Sequence, residues 1–198
     1  MVSLFLILSN KRTSMSKQLP EILNISVAAK SRIFEIQSVD LKFSNGALRT
    51  YERFRPATRA AVMVLPIDGD DLLMVREYAV GTERYELGFC KGLMEQGESM
   101  AQSANREMQE ELGLGAKEFT FLRTVNSNLT FMNAQMHILV ARDFYPSQLE
   151  GDEPEPLEPV RIPLSDIDKL LADSDFMEAR NLVALYALRD YLDSLKVR

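Results

Sequence analysis

The chain has 198 residues, 46% of them hydrophobic and 26% charged, enough for one well-buried core with a small appended unit. A net charge of −6 with no basic stripe argues against a nucleic-acid surface, which would need cations to displace counterions. The single cysteine, Cys90, excludes an internal disulfide and a Cys/His metal site, so nothing points to an oxidising compartment and a cytoplasmic location is expected.

The first apolar run, residues 2–8 (VSLFLIL), is too short to span a membrane, and it has neither a basic region before it nor a small-residue cleavage pattern. Residues 1–14 read as an upstream or disordered tail, with translation beginning at Met15. From Ile22 the pattern turns to short β-rich runs, Ile25 to Ala29, Ile33 to Phe43 and Ala47 to Phe54, the last two joined by the hairpin signal Asn45-Gly46. So small an apolar surface must dock on something, either the main domain or a second subunit. Residues 15–56 are therefore expected to form an N-terminal antiparallel extension. Arg53, Arg55 and Arg59 cluster around Pro56, a solvated linker or a place where one or two arginines reach an anionic substrate.

The main domain, residues 57–198, opens with Ala60 to Ile67, apolar enough for a central strand, and Leu72 to Tyr78, joined by Asp68-Gly69. Next come YELGFCKG, Tyr85 to Gly92, and a helix expected from about Met100 to Leu112. Ser99 with Gln102 is a capping-box pair at its start, and Gly113 ends it. At about 100° per residue, Ala101, Ala104, Met108 and Leu112 form a packing stripe, while Glu107, Glu110 and Glu111 gather well away from it. Three crowded carboxylates repel, so they need a partner. Arg106 can answer one of them and reach back toward Glu98. Oxygen-only ligands suit a hard cation, most simply Mg²⁺ with Mn²⁺ as substitute, which points to phosphate chemistry. A free backbone carbonyl at Lys91 could add a further ligand.

Beyond the helix, Phe119 to Val125 and Gln135 to Ala141 read as strands flanking a polar segment, with the lone His137 packed or exposed rather than catalytic. Residues 150–159, EGDEPEPLEP, form a stiff acidic loop that could hold Glu153 or Glu155 over a metal site. Ser165 to Asp168 reads as a capping box before a short helix ending near Leu171. Glu178 to Leu192 reads as a closing helix packed through Leu182, Leu185, Leu188 and Leu192.

Read as a pattern, Gly92, Glu98, Arg106-Glu107, Glu110-Glu111 and Gly113 are spaced as in the Nudix box, and the segment resembles it at every defining position. A chance match at one start point is on the order of one in a billion. The phrases YERFRP, REYAVGT, YELGF, KGL, YPSQLEGDEPEPL and FMEARN extend the resemblance to Nudix hydrolases that act on ADP-linked compounds. That resemblance implies an α/β fold, an α/β/α sandwich around a mixed sheet, with the N-terminal antiparallel piece helping to form a homodimer. It also implies Mg²⁺-dependent cleavage of the pyrophosphate in a small nucleotide, ADP-ribose, NADH or a diadenosine polyphosphate, with AMP as a common product. Residue by residue, it makes Glu107, Glu110, Glu111 and the Lys91 carbonyl metal ligands, and Glu98, Arg106 and Gly113 the support of the box. The general base falls to Glu153, Glu155 or a box glutamate such as Glu111. Arg53, Arg76, Glu86 and Gly92 are assigned to substrate binding. One departure stands out: ADP-ribose pyrophosphatases commonly carry a proline about fifteen residues after the box, where this chain has Leu129 and no proline between Gly115 and Phe144. FCKG is in turn similar to the FPKG of some dinucleoside polyphosphate hydrolases. A triphosphate-sanitising enzyme and a non-cleaving nucleotide sensor are the competing readings, and the second would be expected to show a degraded box.

Overall fold

A computed structural model of the chain describes residues 17–196; the tail expected over residues 1–14 lies outside the described residues. The chain divides into two compact units between Arg55 and Pro56. The first is a three-stranded antiparallel sheet, β1 (Glu21–Lys30), β2 (Glu35–Lys42) and β3 (Leu48–Phe54), in the order β1-β2-β3. Its second turn is the Asn-Gly hairpin: Gly46 takes φ 82, and the Asn45 side chain accepts the Ala47 N–H at 3.0 Å. Strand β2 starts two residues later than Ile33, because Ser31 and Phe34 close a tight turn through Ser31 N–H to Phe34 C=O at 2.8 Å. Val39 is the one buried side chain among the described residues of this unit.

The second unit contains β4 (Ala61–Asp68), β5 (Asp71–Ala79), β6 (Arg84–Gly88), β7 (Cys90–Leu93), α1 (Met100–Glu111), β8 (Leu114–Asn126), β9 (Gln135–Pro146), β10 (Glu158–Pro163), α2 (Ile167–Ala172) and α3 (Ala179–Lys196). The sheet runs β10-β5-β4-β9-β8, with β6 added on β5 and β7 on β4. Strands β4 and β9 are parallel and the other pairings are antiparallel, so the sheet is mixed.

The apolar run of β4 explains its central place. Met63, Leu65 and Ile67 join one core with Ala184, Leu185 and Leu188 of α3, while Val62 and Val64 join a second core with Ala104 and Met108 of α1. Period-two alternation sends successive side chains to opposite faces, and both faces are covered. A layer of helix, a layer of sheet and a second layer of helix result, as the sequence resemblance implies.

Two local expectations change. Strand β8 begins at Leu114, five residues before Phe119, because it lies at the sheet edge and pairs with β9 through its backbone while many of its side chains stay exposed. Such a strand carries little hydrophobic alternation to read. Ser165 does not cap α2; its hydroxyl turns to Asp166 at 3.4 Å, and a short 3₁₀ turn, Leu164–Asp166, leads into the helix instead.

Leu112 caps the C-terminus of α1, and Gly113 follows with φ 68, the left-handed conformation that lets the chain pass directly into β8. A Cβ at this position would also press on the Gln148 side chain. Gly113→Ala should therefore lower stability by about 1–2 kcal/mol, read as a reduced midpoint in urea. A parental midpoint would mean that the helix terminus relaxes without a left-handed residue.

Candidate active site

The capping box phases α1. Ser99 Oγ accepts the Gln102 N–H at 3.3 Å, and Gln102 Oε1 accepts the Ser99 N–H at 2.8 Å. With Ala104 and Met108 buried in the core, the turn between them carries Arg106 and Glu107 against β7, Arg106 at the Leu93 carbonyl and Glu107 over Gly92. Arg106 is the hub of the acidic cluster. Its Nε donates to Glu98 at 2.9 Å, and its Nη1 donates to Glu107 at 2.7 Å and to Glu110 at 2.9 Å. Its Nη2 donates to the Leu93 carbonyl at 2.9 Å. Arg106 thus engages two of the three helix carboxylates and Glu98 as well, more than the single neutralisation that spacing suggests. The guanidinium beside Glu98 holds its carboxyl down at about 2, so it stays ionised, and the same carboxylates push the Arg106 pKa up.

Glu111 is placed differently. Its Oε1 accepts the Lys91 N–H at 3.1 Å, while Oε2 is buried with no hydrogen-bond partner. Burial is the main cause that pushes the carboxyl up to about 8, with Glu107 and Glu77 adding to it. Glu107 is only 7% exposed, and its pKa is raised by burial against the opposing pull of Arg106. Gly92 makes this packing possible, since a Cβ there would collide with the Glu107 carboxylate. Cys90 is fully buried in the core beside this group, and burial pushes its thiol pKa up, as suits a packed residue.

An orphaned, desolvated carboxylate oxygen is an acceptor with no donor to meet it, and its free lone pairs fit a hard divalent cation. Among the described residues no three Asp, Glu, His or Cys side chains converge as a finished cage: Glu107 and Glu110 turn to Arg106, and Glu111 turns to the Lys91 N–H.

A cleft of about 1010 Å³ opens over these groups, lined by Lys91, Gly92, Arg106, Glu107, Glu110 and Glu111 on one side and by residues 148–157 on the other. Local bonds hold that acidic loop against the end of α1: Leu149 N–H to the Gln109 carbonyl at 3.1 Å, Gln148 Nε2 to the Glu110 carbonyl at 3.3 Å, and Ser147 N–H to the Gly113 carbonyl at 3.1 Å. Glu153 and Glu155 both reach the cleft, in different states. Glu155 accepts a hydrogen bond from the Tyr85 hydroxyl, which raises the Tyr85 pKa. Glu153 is raised first by burial and then by Glu77 and Asp152, with Lys91 opposing.

Of the four residues assigned to substrate binding, only Gly92 lines this cleft. Arg76 and Glu86 line a separate cavity of about 270 Å³ with Arg84, Leu170, Asp173 and Phe176. Strand parity is the reason for Arg76. Leu72 and Met74 face the α3 core, so Arg76 continues that face, whereas Val75 faces the α1 core and Glu77 follows it. The carboxylate of Glu77 forms an ion pair with the Lys91 ammonium at the cleft, a role sequence reasoning passed over although alternation along β5 carries the signal. Arg53 belongs to the N-terminal sheet, where it donates to Gln37 at 3.2 Å. The Tyr85–Glu155 bond joins residues 70 positions apart, beyond the reach of any local pattern. His137 bonds Thr124 across the β8–β9 pair at 2.8 Å.

Known protein families match both units of the chain. A family model described as NudE-type Nudix hydrolase N-terminal domain matches residues 20–53, and one described as NUDIX domain matches residues 57–186. Over 179 residues the chain is 54% identical to the ADP compounds hydrolase NudE of Escherichia coli (strain K12), covering 90% of this chain and 96% of that protein. It is 26% identical to the ADP-ribose pyrophosphatase of Bacillus subtilis (strain 168), covering 81% of this chain and 90% of that one. A crystal structure of an ADP compounds hydrolase superposes with a TM-score of 0.89 at 53% identity, covering 92% of this chain and 98% of that one.

The burial of Glu111 has a measurable consequence in the metal-free protein. A carboxyl raised from 4.5 to about 8 on folding stabilises the fold fully below pH 4.5, and that contribution is lost as pH rises through about 8. Glutamine does not titrate. In the presence of a chelator, Glu111→Gln should therefore melt above the parent at pH 8 to 9, with the gap closing toward pH 5. A gap independent of pH would show that Glu111 is not desolvated in the free protein.

Proposed function

Because the chain belongs to the Nudix hydrolase family, we propose that it hydrolyses the pyrophosphate bond of ADP-linked nucleoside diphosphates, namely ADP-ribose, NADH and diadenosine polyphosphates, and releases AMP. The observation that carries this reading is the orphaned oxygen of Glu111, desolvated beside Glu107 and Glu110 and facing an acidic loop across one cleft. The 54% identity to an ADP compounds hydrolase supports the substrate class.

Glu107, Glu110, Glu111 and the Lys91 carbonyl would hold Mg²⁺, or Mn²⁺ in its place. Bound there, the metal would neutralise the diphosphate charge and lower the pKa of a coordinated water. The protein's own groups do the rest. Arg106 sets the directions of Glu107 and Glu110 and keeps Glu98 ionised at its back. Gly92 leaves room for Glu107. Glu153 is the better candidate for the group that takes the proton from the attacking water, because its carboxylate is raised and Glu155 is already tied to Tyr85. In this reading Glu155 anchors the loop and Glu153 uses the position so gained.

The N-terminal unit is read as a homodimer contact. Ile22, Leu23, Ile25 and Val27 of β1 are 44–57% exposed, and a sheet with one buried side chain needs a covering surface. No described helix is long and apolar enough to cross a membrane, and the acidic charge disfavours nucleic acid; with one buried cysteine we place the protein in the cytoplasm.

Product analysis with Mg²⁺ tests the reaction. AMP is expected from ADP-ribose, NADH and diadenosine triphosphate, and none should form with a chelator present or with Glu111→Gln. Cleavage of dATP alone would move the protein to the triphosphate class, and bound but uncleaved nucleotide would make it a sensor. The general base is tested separately. Glu153→Gln should lower kcat by roughly 10²- to 10⁴-fold and Glu155→Gln by less than about 10-fold; the opposite order would transfer the proton to Glu155.

A further inference from the structure

Three arginines crowd the stretch around Pro56, and spacing alone does not say which of them meets an anion. Within the structure they have different fates. Arg53 donates to Gln37 and Arg55 pairs with Glu35 at 3.8 Å, both within the N-terminal unit. Arg59 belongs to the second unit, in the bend that precedes β4, and it lines the carboxylate cleft. Its backbone is fixed there, since the neighbouring Ala60 carbonyl accepts the Met94 N–H at 3.0 Å beside the end of β7.

Cations are scarce in this cleft. Eight carboxylates line it against Arg59, Lys91 and Arg106. Arg106 is committed to Glu98, Glu107, Glu110 and the Leu93 carbonyl, and Lys91 is held by Glu77. Arg59 makes no hydrogen bond or ion pair with any described residue, although it shares the cleft with all eight acids. The Arg59 side chain is solvent-exposed, so its guanidinium carries a positive charge in this negative field that no protein group has taken. Planar and always charged, that group matches two phosphate oxygens at once.

We propose that Arg59 binds the diphosphate of the substrate and sets affinity for every substrate that carries this bridge, whatever is attached beyond it. The assignment rests on the ADP-compound reading above. It also separates Arg59 from Arg53 and Arg55, which serve the N-terminal sheet. A contact made equally in the bound and reacting states raises KM when it is lost and leaves kcat nearly unchanged.

The test compares Arg59→Ala, Arg59→Lys and, as a matched loss of surface charge, Lys117→Ala in the full chain. Steady-state constants are measured for ADP-ribose and NADH with Mg²⁺, together with the Kd of the α,β-methylene analogue of ADP-ribose, which binds without being cleaved. Arg59→Ala should raise both KM values and the Kd by roughly 10- to 100-fold with much smaller change in kcat. Arg59→Lys should restore part of the affinity, because it returns the charge without the fork, and Lys117→Ala should behave as the parent. Parental KM and Kd in Arg59→Ala, or a fall in kcat alone, would overturn the assignment while leaving the enzyme reading intact. A parent that neither cleaves ADP-ribose nor binds the analogue would overturn the enzyme reading and the Arg59 assignment with it.

Discussion

The contact on which the rest of the site depends is the guanidinium of Arg106 among Glu98, Glu107 and Glu110. Without it, three glutamates within five residues of one helix, two of them close to the buried core, would repel one another and turn outward. With it Glu107 and Glu110 are held in a fixed fan at the mouth of the cleft, with Glu98 paired to the same guanidinium, while Glu111 accepts the Lys91 N–H. The geometry is planar and multidentate, so lysine could not replace it: a single ammonium on a flexible stem cannot serve two or three carboxylates in defined directions. Glu98 gains nothing from the cleft directly. It is the group that makes the cation itself stay in place.

This arrangement accepts a local destabilisation. Burying Glu107 and Glu111 raises the energy of their charged forms, and an oxygen left without a partner adds to it. A chain selected for stability alone would place glutamine or an apolar residue at position 111. Retaining a desolvated carboxylate with one of its two oxygens unpartnered is intelligible if binding, rather than folding, supplies the missing partner. The two cores on either face of β4 are what tolerate this, since α1 is anchored through Ala104 and Met108 independently of its acidic face.

Much of this was legible in the order of residues. The capping box, the packing of α1 through Ala104, Met108 and Leu112, and the central character of β4 are local patterns, and the structure realises each of them, while Ala101 stays outside the core. What stayed hidden is of three kinds. Strand β8 lies at a sheet edge and shows little alternation. The face on which Arg76 and Glu77 fall depends on which neighbour covers each side of β5, and one residue of difference exchanges their surroundings. Glu153 and Glu155 are indistinguishable on a loop where acid and proline alternate, and only the distant Tyr85 hydroxyl tells them apart. The first two are matters of parity and the third of long-range contact, which no short window contains.

The parallel pairing at the centre of the sheet has a further consequence, for the order of assembly. Strand β4 begins at Ala61 and its parallel partner β9 at Met136 in the aligned register, so the innermost ladder joins segments about 75 residues apart. On a ribosome, β4, β5 and the whole box helix emerge before that ladder can close. Until it does, the apolar run of β4 lacks the backbone partner on one side, and the helix that carries the carboxylates lacks part of the sheet it rests on. Closure of a long loop, rather than formation of α1, is then the slow event in folding, and the interval before it is when the nascent chain most needs protection from association.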